Sequence, residues 1–205
     1  MTTINDPNDD EPIDNEEPAD NEPDLDAEWR ADRINHRLNV VRNARPERLR
    51  DAGPLDPRIA DWGKTLVAGS AGNLVIVGEV GRTKTWSAWE VLEQAVAASY
   101  AGAWHFATAA EWQDAIAPPP DRDLLRRMRA VDLLILDDLG SSRINDWQLE
   151  CLFGVVDERW QHARPTIITS NVRKLKDTLG ERLASRLRDG ATDVVLGGDD
   201  RRAGR

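Results

Sequence analysis

The chain has 205 residues, of which 40% are hydrophobic, and a formal net charge of −10 at pH 7. This length allows one sizeable domain and an appendage. No apolar run approaches the 18 residues that a membrane span needs, nothing resembles a signal peptide, and the single Cys151 excludes an internal disulfide. We therefore expect a soluble intracellular protein.

The negative charge is concentrated at the N-terminus. Residues 1–26 contain eleven acidic side chains, four prolines and no lysine or arginine, so this segment cannot bury enough apolar surface to fold alone. Because the rest of the chain has 26 acidic and 27 basic residues, the acidic pI of the whole sequence is only weak evidence against a nucleic-acid partner. We expect a disordered tail, either solubilising or an arm that binds a partner or competes with DNA for a basic groove.

Two helices are expected before the first strand. Residues 25–43 have the apolar spacing of a helix, and Pro46 limits it. The residues expected near its apolar face are Trp29, Ile34, Leu38 and Val41. A second helix is expected over residues 61–67, after an irregular approach that contains Pro57. We divide the chain into the tail at 1–26, an N-terminal helix at 27–45 and a domain at 46–205.

A glycine-bearing loop follows the first predicted strand. Residues 74–77 form a short apolar run, and the chain then passes into a helix that begins near Thr85. The intervening segment consists of Gly78, Glu79, Val80, Gly81, Arg82, Thr83, Lys84 and Thr85. A strand, such a loop, Lys-Thr and a helix predict a P-loop, whose backbone N–H groups cradle phosphate at a helix N-terminus. Lys84 would neutralise the β/γ-phosphate oxygens, and the Thr85 hydroxyl would ligate Mg²⁺.

Thr83 departs from the P-loop pattern, which has glycine before the lysine. If the loop requires a positive φ at this position, a β-branched residue costs about 1–3 kcal/mol, or roughly 5- to 150-fold in affinity. Such a cost weakens ATP binding without abolishing it. We therefore expect a weak ATPase, with a non-hydrolysing protein as the alternative.

Strands and helices alternate through the rest of the chain. Further strands are predicted over residues 103–108, 132–136, 166–169 and 193–196. Helices are predicted over residues 85–99, 109–116, 121–128, 146–161 and 175–188. This alternation favours a doubly wound α/β sheet in one domain.

Acidic residues follow the most apolar strand. Asp137 and Asp138 end the run Leu133–Leu136, 53 residues after Lys84. Alone, the pair reads as a capped strand end, but after a P-loop it predicts a second Mg²⁺-binding motif. Asp137 would hold the metal ion directly or through water, and Asp138 would orient and deprotonate the attacking water.

Three further polar residues are candidates for the same site. Asn171 follows strand 166–169, at the edge of the sheet where α/β sites lie, and would hold the attacking water or the γ-phosphate. Asn is more often a plain turn residue. Arg182 and Arg186 share one face of helix 175–188, and they read either as a solvated face or as an arginine finger for a neighbouring subunit.

The motifs stand in an order known from one family. The segments GEVGRTKT, LLILDDLG, TIITSN, GERLASRL and DDRR resemble the AAA+ ATPases, specifically the DnaC/IstB branch of helicase loaders and transposase helpers. The resemblance covers about residues 44–202. It implies an α/β P-loop NTPase with a five-stranded parallel sheet flanked by helices, ATP and Mg²⁺ as cofactors, and ATP sites shared between subunits.

The resemblance also gives each motif a role. The P-loop contacts are Lys84 and Thr85, the Walker B pair is Asp137 and Asp138, sensor 1 is Asn171, and sensor 2 is Arg201 or Arg202. Arg186 is the first choice for the finger and Arg182 the second. The sequence ends soon after Arg202, so we expect little or no C-terminal lid.

The implied function is ATP-controlled loading of a replicative helicase onto single-stranded DNA. The implied partners are that helicase, the DNA and further copies of this chain, in the cytoplasm of a bacterial cell or a phage-infected host. Helix 27–45 is the candidate helicase-binding element. The alternatives are a non-hydrolysing adaptor on a degenerate ATPase fold and an IstB-like transposition helper.

Overall fold

The computed structural model describes residues 25–50, 53–79, 81, 83–117, 119–140, 144–172 and 175–197. Its centre is a five-stranded sheet in which every neighbouring pair is parallel, with the order β2-β3-β4-β1-β5. The strands are β1 Leu74–Gly78, β2 Trp104–Thr108, β3 Leu133–Asp137, β4 Thr166–Ser170 and β5 Thr192–Leu196. The predicted five-stranded parallel sheet is therefore confirmed.

Helices cover both faces of this sheet. They are α1 Leu25–Ala44, α2 Pro57–Val67, α3 Lys84–Ala97, α4 Ala109–Ile116, α5 Arg122–Ala130, α6 Asp146–Gln161 and α7 Leu175–Arg188, with a short 3₁₀ turn at Glu47–Leu49. None of these helices combines the length and the apolar character that crossing a bilayer requires.

The central strands bury side chains on both faces, which explains their unbroken apolar runs. Along β1, Leu74 and Ile76 face a core shared with α1, α2 and α3. Val75 and Val77 face the opposite core, which is shared with α4 to α7. The result is a three-layer α/β architecture with the sheet in the middle.

The structure corrects two expectations before β1. Helix α2 begins at Pro57 rather than at residue 61, because Asp56 caps it by accepting a hydrogen bond from the Arg58 N–H, and proline is well tolerated in a first turn. Trp29 was expected on the buried face of α1, but it is 71% exposed. Only Leu38 and Val41 of that predicted face are buried.

Candidate functional site

The P-loop strand and the Walker B strand do not touch each other. β4 lies between β1 and β3, and all three strands present their carboxyl ends to the same edge of the sheet. Chain segments that are far apart in the sequence therefore meet at this edge, which we call the carboxyl edge.

Thr85 and Asp137 meet across the intervening strand. The Thr85 hydroxyl donates a hydrogen bond of 3.1 Å to Oδ2 of Asp137. The structure thus joins the two side chains predicted to hold Mg²⁺. A hydroxyl and a carboxylate fit Mg²⁺, which keeps several waters and takes one or two protein ligands beside phosphate oxygens.

Lys84 lies under the loop at the first residue of α3. Its side chain is buried, and Nζ donates hydrogen bonds of 2.9 Å to the backbone carbonyls of Gly78 and Glu79. The ammonium group therefore stays inside the curve of the loop, at the N-terminus of a helix of 14 residues. The charge of Lys84 and the helix dipole both favour an anion here.

The backbone at Thr83 has the conformation that glycine normally supplies. Its φ of 62° and ψ of 20° lie in the left-handed region. A β-branched residue in this region is strained by about 1–3 kcal/mol. Its carbonyl accepts hydrogen bonds from both the N–H and the hydroxyl of Ser87, and these contacts help to hold the strained residue.

Thr169 is a site residue that the sequence did not single out. Its hydroxyl donates a 2.6 Å hydrogen bond to Oδ1 of Asp137 and accepts one of 2.8 Å from the backbone N–H of Asp138. One hydroxyl therefore fixes both acids. The available signal was a threonine near the carboxyl end of a strand, but the strand order was needed to place it beside the Walker B strand.

Burial sets the protonation preference of Asp137. It raises the pKa of this carboxyl above its usual value, while hydrogen bonds from Thr169 and Thr85 act in the opposite direction. The nearby charge of Asp138 raises the pKa further, and the charge of Lys84 lowers it. An added cation at this position would favour the charged carboxylate.

Asp138 is exposed, and its φ of 57° is also left-handed. Aspartate tolerates this region better than most residues. Because Thr169 holds its backbone N–H, the chain turns sharply after β3 and leaves the carboxylate at the carboxyl edge.

Asn171 lies at the same edge, in the bend after β4, with its side chain exposed. The neighbouring Ser170 makes the structural contacts here, since its hydroxyl donates to the carbonyl of Leu139 at 2.7 Å and accepts from the N–H of Val172 at 3.0 Å. Asn171 is therefore left facing the solvent side of the site.

The two candidate arginines lie elsewhere. Arg182 and Arg186 are on α7, which runs from the carboxyl end of β4 towards the opposite edge of the parallel sheet. Arg186 is in the last turn of that helix. It is thus not brought together with Lys84 and Asp137 of its own chain.

Some predicted residues lie outside the described part of the chain. These are Val80 and Arg82 of the P-loop, Arg201 and Arg202, and the acidic tail up to residue 24.

A family model described as "IstB-like ATP binding protein" matches residues 50–187. The chain belongs to this family. The matched range contains the P-loop, both Walker B acids, Thr169, Asn171 and the two arginines. It confirms the assignment to the DnaC/IstB branch of AAA+ proteins.

Three solved structures share this fold over most of their length. The DnaC helicase loader is 24% identical to this IstB-like chain, with a TM-score of 0.60 over 73% of this chain and 96% of that one. DnaI is 18% identical, with a TM-score of 0.60 over 75% of this chain and 89% of that one. Domain III of the Thermotoga maritima replication initiation protein DnaA is 21% identical, with a TM-score of 0.59 over 71% and 64%.

A curated relative is the phage-like element PBSX protein XkdC of Bacillus subtilis (strain 168). It is 32% identical over 69 residues, which cover 29% of this chain and 26% of XkdC. The chain therefore matches only about a quarter of the length of that relative.

Proposed function

We propose that this IstB-like protein binds ATP and Mg²⁺, hydrolyses ATP weakly at subunit interfaces, and loads a replicative helicase onto single-stranded DNA. The observation that carries the proposal is the hydrogen bond between Thr85 and Asp137 beside the buried Lys84. It joins a P-loop to a Walker B acid in the arrangement that Mg²⁺-dependent phosphoryl transfer requires.

Each side chain at the carboxyl edge has one task in this proposal. Lys84 and the first N–H groups of α3 would bind the terminal phosphates, and Thr85 and Asp137 would hold Mg²⁺, which would supply positive charge beside them. Asp138 accepts the proton of the attacking water, and Asn171 orients that water. Thr169 positions both acids through its two hydrogen bonds.

The site is completed by another copy of the chain. Arg186 cannot serve its own carboxyl edge, because it lies in the last turn of α7 before the start of β5. In a head-to-tail assembly it would serve the nucleotide of a neighbour, as arginine fingers in trans do. ATP would then promote assembly.

Single-stranded DNA and the helicase have separate candidate surfaces. Helix α5 carries basic side chains suited to phosphate contacts, namely Arg122, Arg126, Arg127 and Arg129. Helix α1 is the candidate helicase-binding element, and its exposed Trp29 suits a protein contact. Arg45 ties α1 to the P-loop helix through Glu90 at 2.9 Å and Glu93 at 2.8 Å.

The experiment is ATP turnover by the full chain, with and without single-stranded DNA and a candidate replicative helicase. We expect slow turnover that DNA stimulates, and helicase transfer onto DNA that depends on ATP. Asp138→Asn should retain ATP binding and lose turnover. Full turnover in this variant would exclude Asp138 as the acceptor of the proton.

The departure of Thr83 from the P-loop pattern favours a second candidate, a non-hydrolysing adaptor. Full helicase loading with no detectable turnover under any condition would support it. The family also leaves open a transposition helper, which stimulation of a transposase rather than a helicase would support.

A further inference from the structure

Helices α6 and α7 form the face of the molecule that carries the candidate arginines. Both helices run from the carboxyl edge to the opposite edge of the sheet, because each one connects two parallel strands. Phe153, Asp157 and Trp160 follow one another along α6 at helical spacing, and we call these three residues the α6 ledge.

Arg186 is held on this ledge at two points. Its Nε donates a 2.9 Å hydrogen bond to Oδ1 of Asp157, and its guanidinium lies 3.7 Å from the centre of the Trp160 ring. Both supports are themselves fixed. The side-chain amide of Gln161 donates a 2.8 Å hydrogen bond to Oδ2 of Asp157. The indole N–H of Trp160 donates one of 2.7 Å to Oδ2 of Asp189.

The backbone of Arg186 is fixed as well. Asn73, which precedes β1, donates from its side-chain amide to the carbonyls of Leu187 at 3.0 Å and Arg186 at 3.4 Å. The carbonyl oxygen of the same side chain accepts from the N–H of Thr166 at 2.9 Å. The end of α7 is thus tied to the starts of β1 and β4.

These contacts leave one side of the guanidinium available. Asp157 accepts the hydrogen bond from Nε–H of Arg186, and the Trp160 ring covers one face of the guanidinium. The Nη1 and Nη2 atoms of Arg186 make no hydrogen bond within the described part of the chain. The side chain is 36% exposed. Two parallel N–H groups at the end of a guanidinium can donate hydrogen bonds to two oxygens of one phosphate or carboxylate.

We propose that Asp157 and Trp160 are positioning residues that present the Nη1 and Nη2 groups of Arg186 to the nucleotide phosphate of a neighbouring copy. This inference rests on the proposed function. An arginine side chain normally loses much rotamer freedom on binding, and the ledge removes part of that freedom in advance.

The same geometry chooses between the two arginines. Arg182 lies 3.8 Å from the centre of the Phe153 ring, but no carboxylate of the described chain forms an ion pair with it. Its side chain is held by one contact, whereas Arg186 is held by two. Arg186 is therefore the preorganised finger.

The first test measures order directly. In ¹⁵N-arginine spectra of the full-length protein, we expect the Nε–H of Arg186 to be rigid and protected from solvent exchange. Asp157→Asn should make it mobile, and Asp157→Glu should restore part of the order. A mobile Arg186 Nε–H in the wild type would overturn the proposal whether or not the protein hydrolyses ATP.

The second test measures DNA-stimulated turnover. Arg186→Ala should lower the rate by about 1,000-fold or more, and Asp157→Asn by roughly tenfold, with ATP affinity unchanged in both. Adding Asp157→Asn to Arg186→Ala should cause no further loss. Asp61→Asn, which breaks an exposed pair with Lys64, is the matched control and should be neutral.

Subunit mixing separates a positioning role from simple damage. Lys84→Ala protein has an intact Arg186 and should restore turnover to the Asp157→Asn protein several-fold. No rescue, or a further loss in the double variant, would contradict a role through Arg186. If the wild type binds ATP but neither it nor any mixture hydrolyses ATP, the proposed hydrolysis and the trans role of Arg186 both fail. A rigid Nε–H would then show only that Asp157 and Trp160 order the side chain.

Discussion

The two edges of the sheet are built on different principles. At the carboxyl edge, Thr83 and Asp138 have left-handed backbones, and the Asp137 carboxyl is buried with a raised pKa. At the opposite edge, Asn73 and Arg159 satisfy backbone groups from several elements at once. The carboxyl edge therefore contains strained backbone and a buried acidic group, whereas the opposite edge is held together by many hydrogen bonds.

Arg159 shows how the opposite edge is bonded. Its guanidinium donates to the carbonyls of Val131 and Pro165 at 2.7 Å, to the carbonyl of Met128 at 3.0 Å and to the Thr166 hydroxyl at 3.0 Å. Burial lowers its pKa to about 10. One side chain thus joins the end of α5 to the starts of β3 and β4.

The contrast shows how a site of this kind is supported. Local strain persists at a reactive edge only when the rest of the fold determines the backbone there. The opposite edge supplies that rigidity, and its Asn73 also fixes the backbone of Arg186, the residue we propose as the finger for another copy. Substitutions at the two edges should therefore change stability in opposite directions.

The largest effect on stability is expected for Arg159→Met. It removes a buried charge but leaves several carbonyls without partners, and we expect a loss of about 3–5 kcal/mol, or roughly 10 °C in Tm. Thermal unfolding followed by circular dichroism measures it. Arg164→Met removes one carbonyl contact and should cost less than about 1 kcal/mol, so equal losses in the two variants would contradict this role of Arg159.

Asp137→Asn should separate stability from function. The folded state raises the pKa of Asp137, so wild-type stability contributed by this group falls as pH rises from the usual aspartate range through the raised pKa. Asparagine removes this penalty, and we expect Tm at pH 7 to rise by about 2–4 °C while turnover is lost. A lower Tm across the whole pH range would show that the carboxylate stabilises the fold.

Thr83→Gly should have the smallest effect. The folded loop already holds φ at 62°, so most of the strain is borne in folding. Relief of this backbone strain should stabilise the folded state by about 1–2 kcal/mol. The greater flexibility of glycine in the unfolded chain offsets part of that gain, so we expect Tm to rise by roughly 2 °C. Calorimetric titration with ATP tests whether Thr83 also weakens binding. A large gain in ATP affinity in Thr83→Gly would show that the strain opposes binding rather than folding.

Sequence patterns predicted the fold because the strands are short apolar runs between amphipathic helices. The predicted bounds of α6 and α7 match the structure, although a kink at Gly180, with a φ of 77° and a ψ of 163°, interrupts α7. All five strands were predicted to within a residue or two. The prediction that Trp29 is buried was wrong, because helical spacing shows which residues share a face but not whether another element covers that face.

The site was only partly readable from the sequence. Lys84, Thr85 and the acid pair lie in local motifs, so their types and spacing were informative. Thr169 was missed because its role depends on β4 lying between β1 and β3. The α6 ledge was missed for the same reason, since Asp157 and Arg186 are 29 positions apart and meet only through packing.

The central claim is that the loop from Gly78 to Thr85 binds ATP through Lys84. Calorimetric titration of MgATP into wild-type protein and into Lys84→Ala tests it most directly, with Lys64→Ala, an exposed lysine of α2, as the control. We expect saturable binding by the wild type and the control, and an affinity lower by about 100-fold or more in Lys84→Ala, since the variant loses a buried charge-assisted contact to phosphate. Equal affinity in all three proteins would contradict the account.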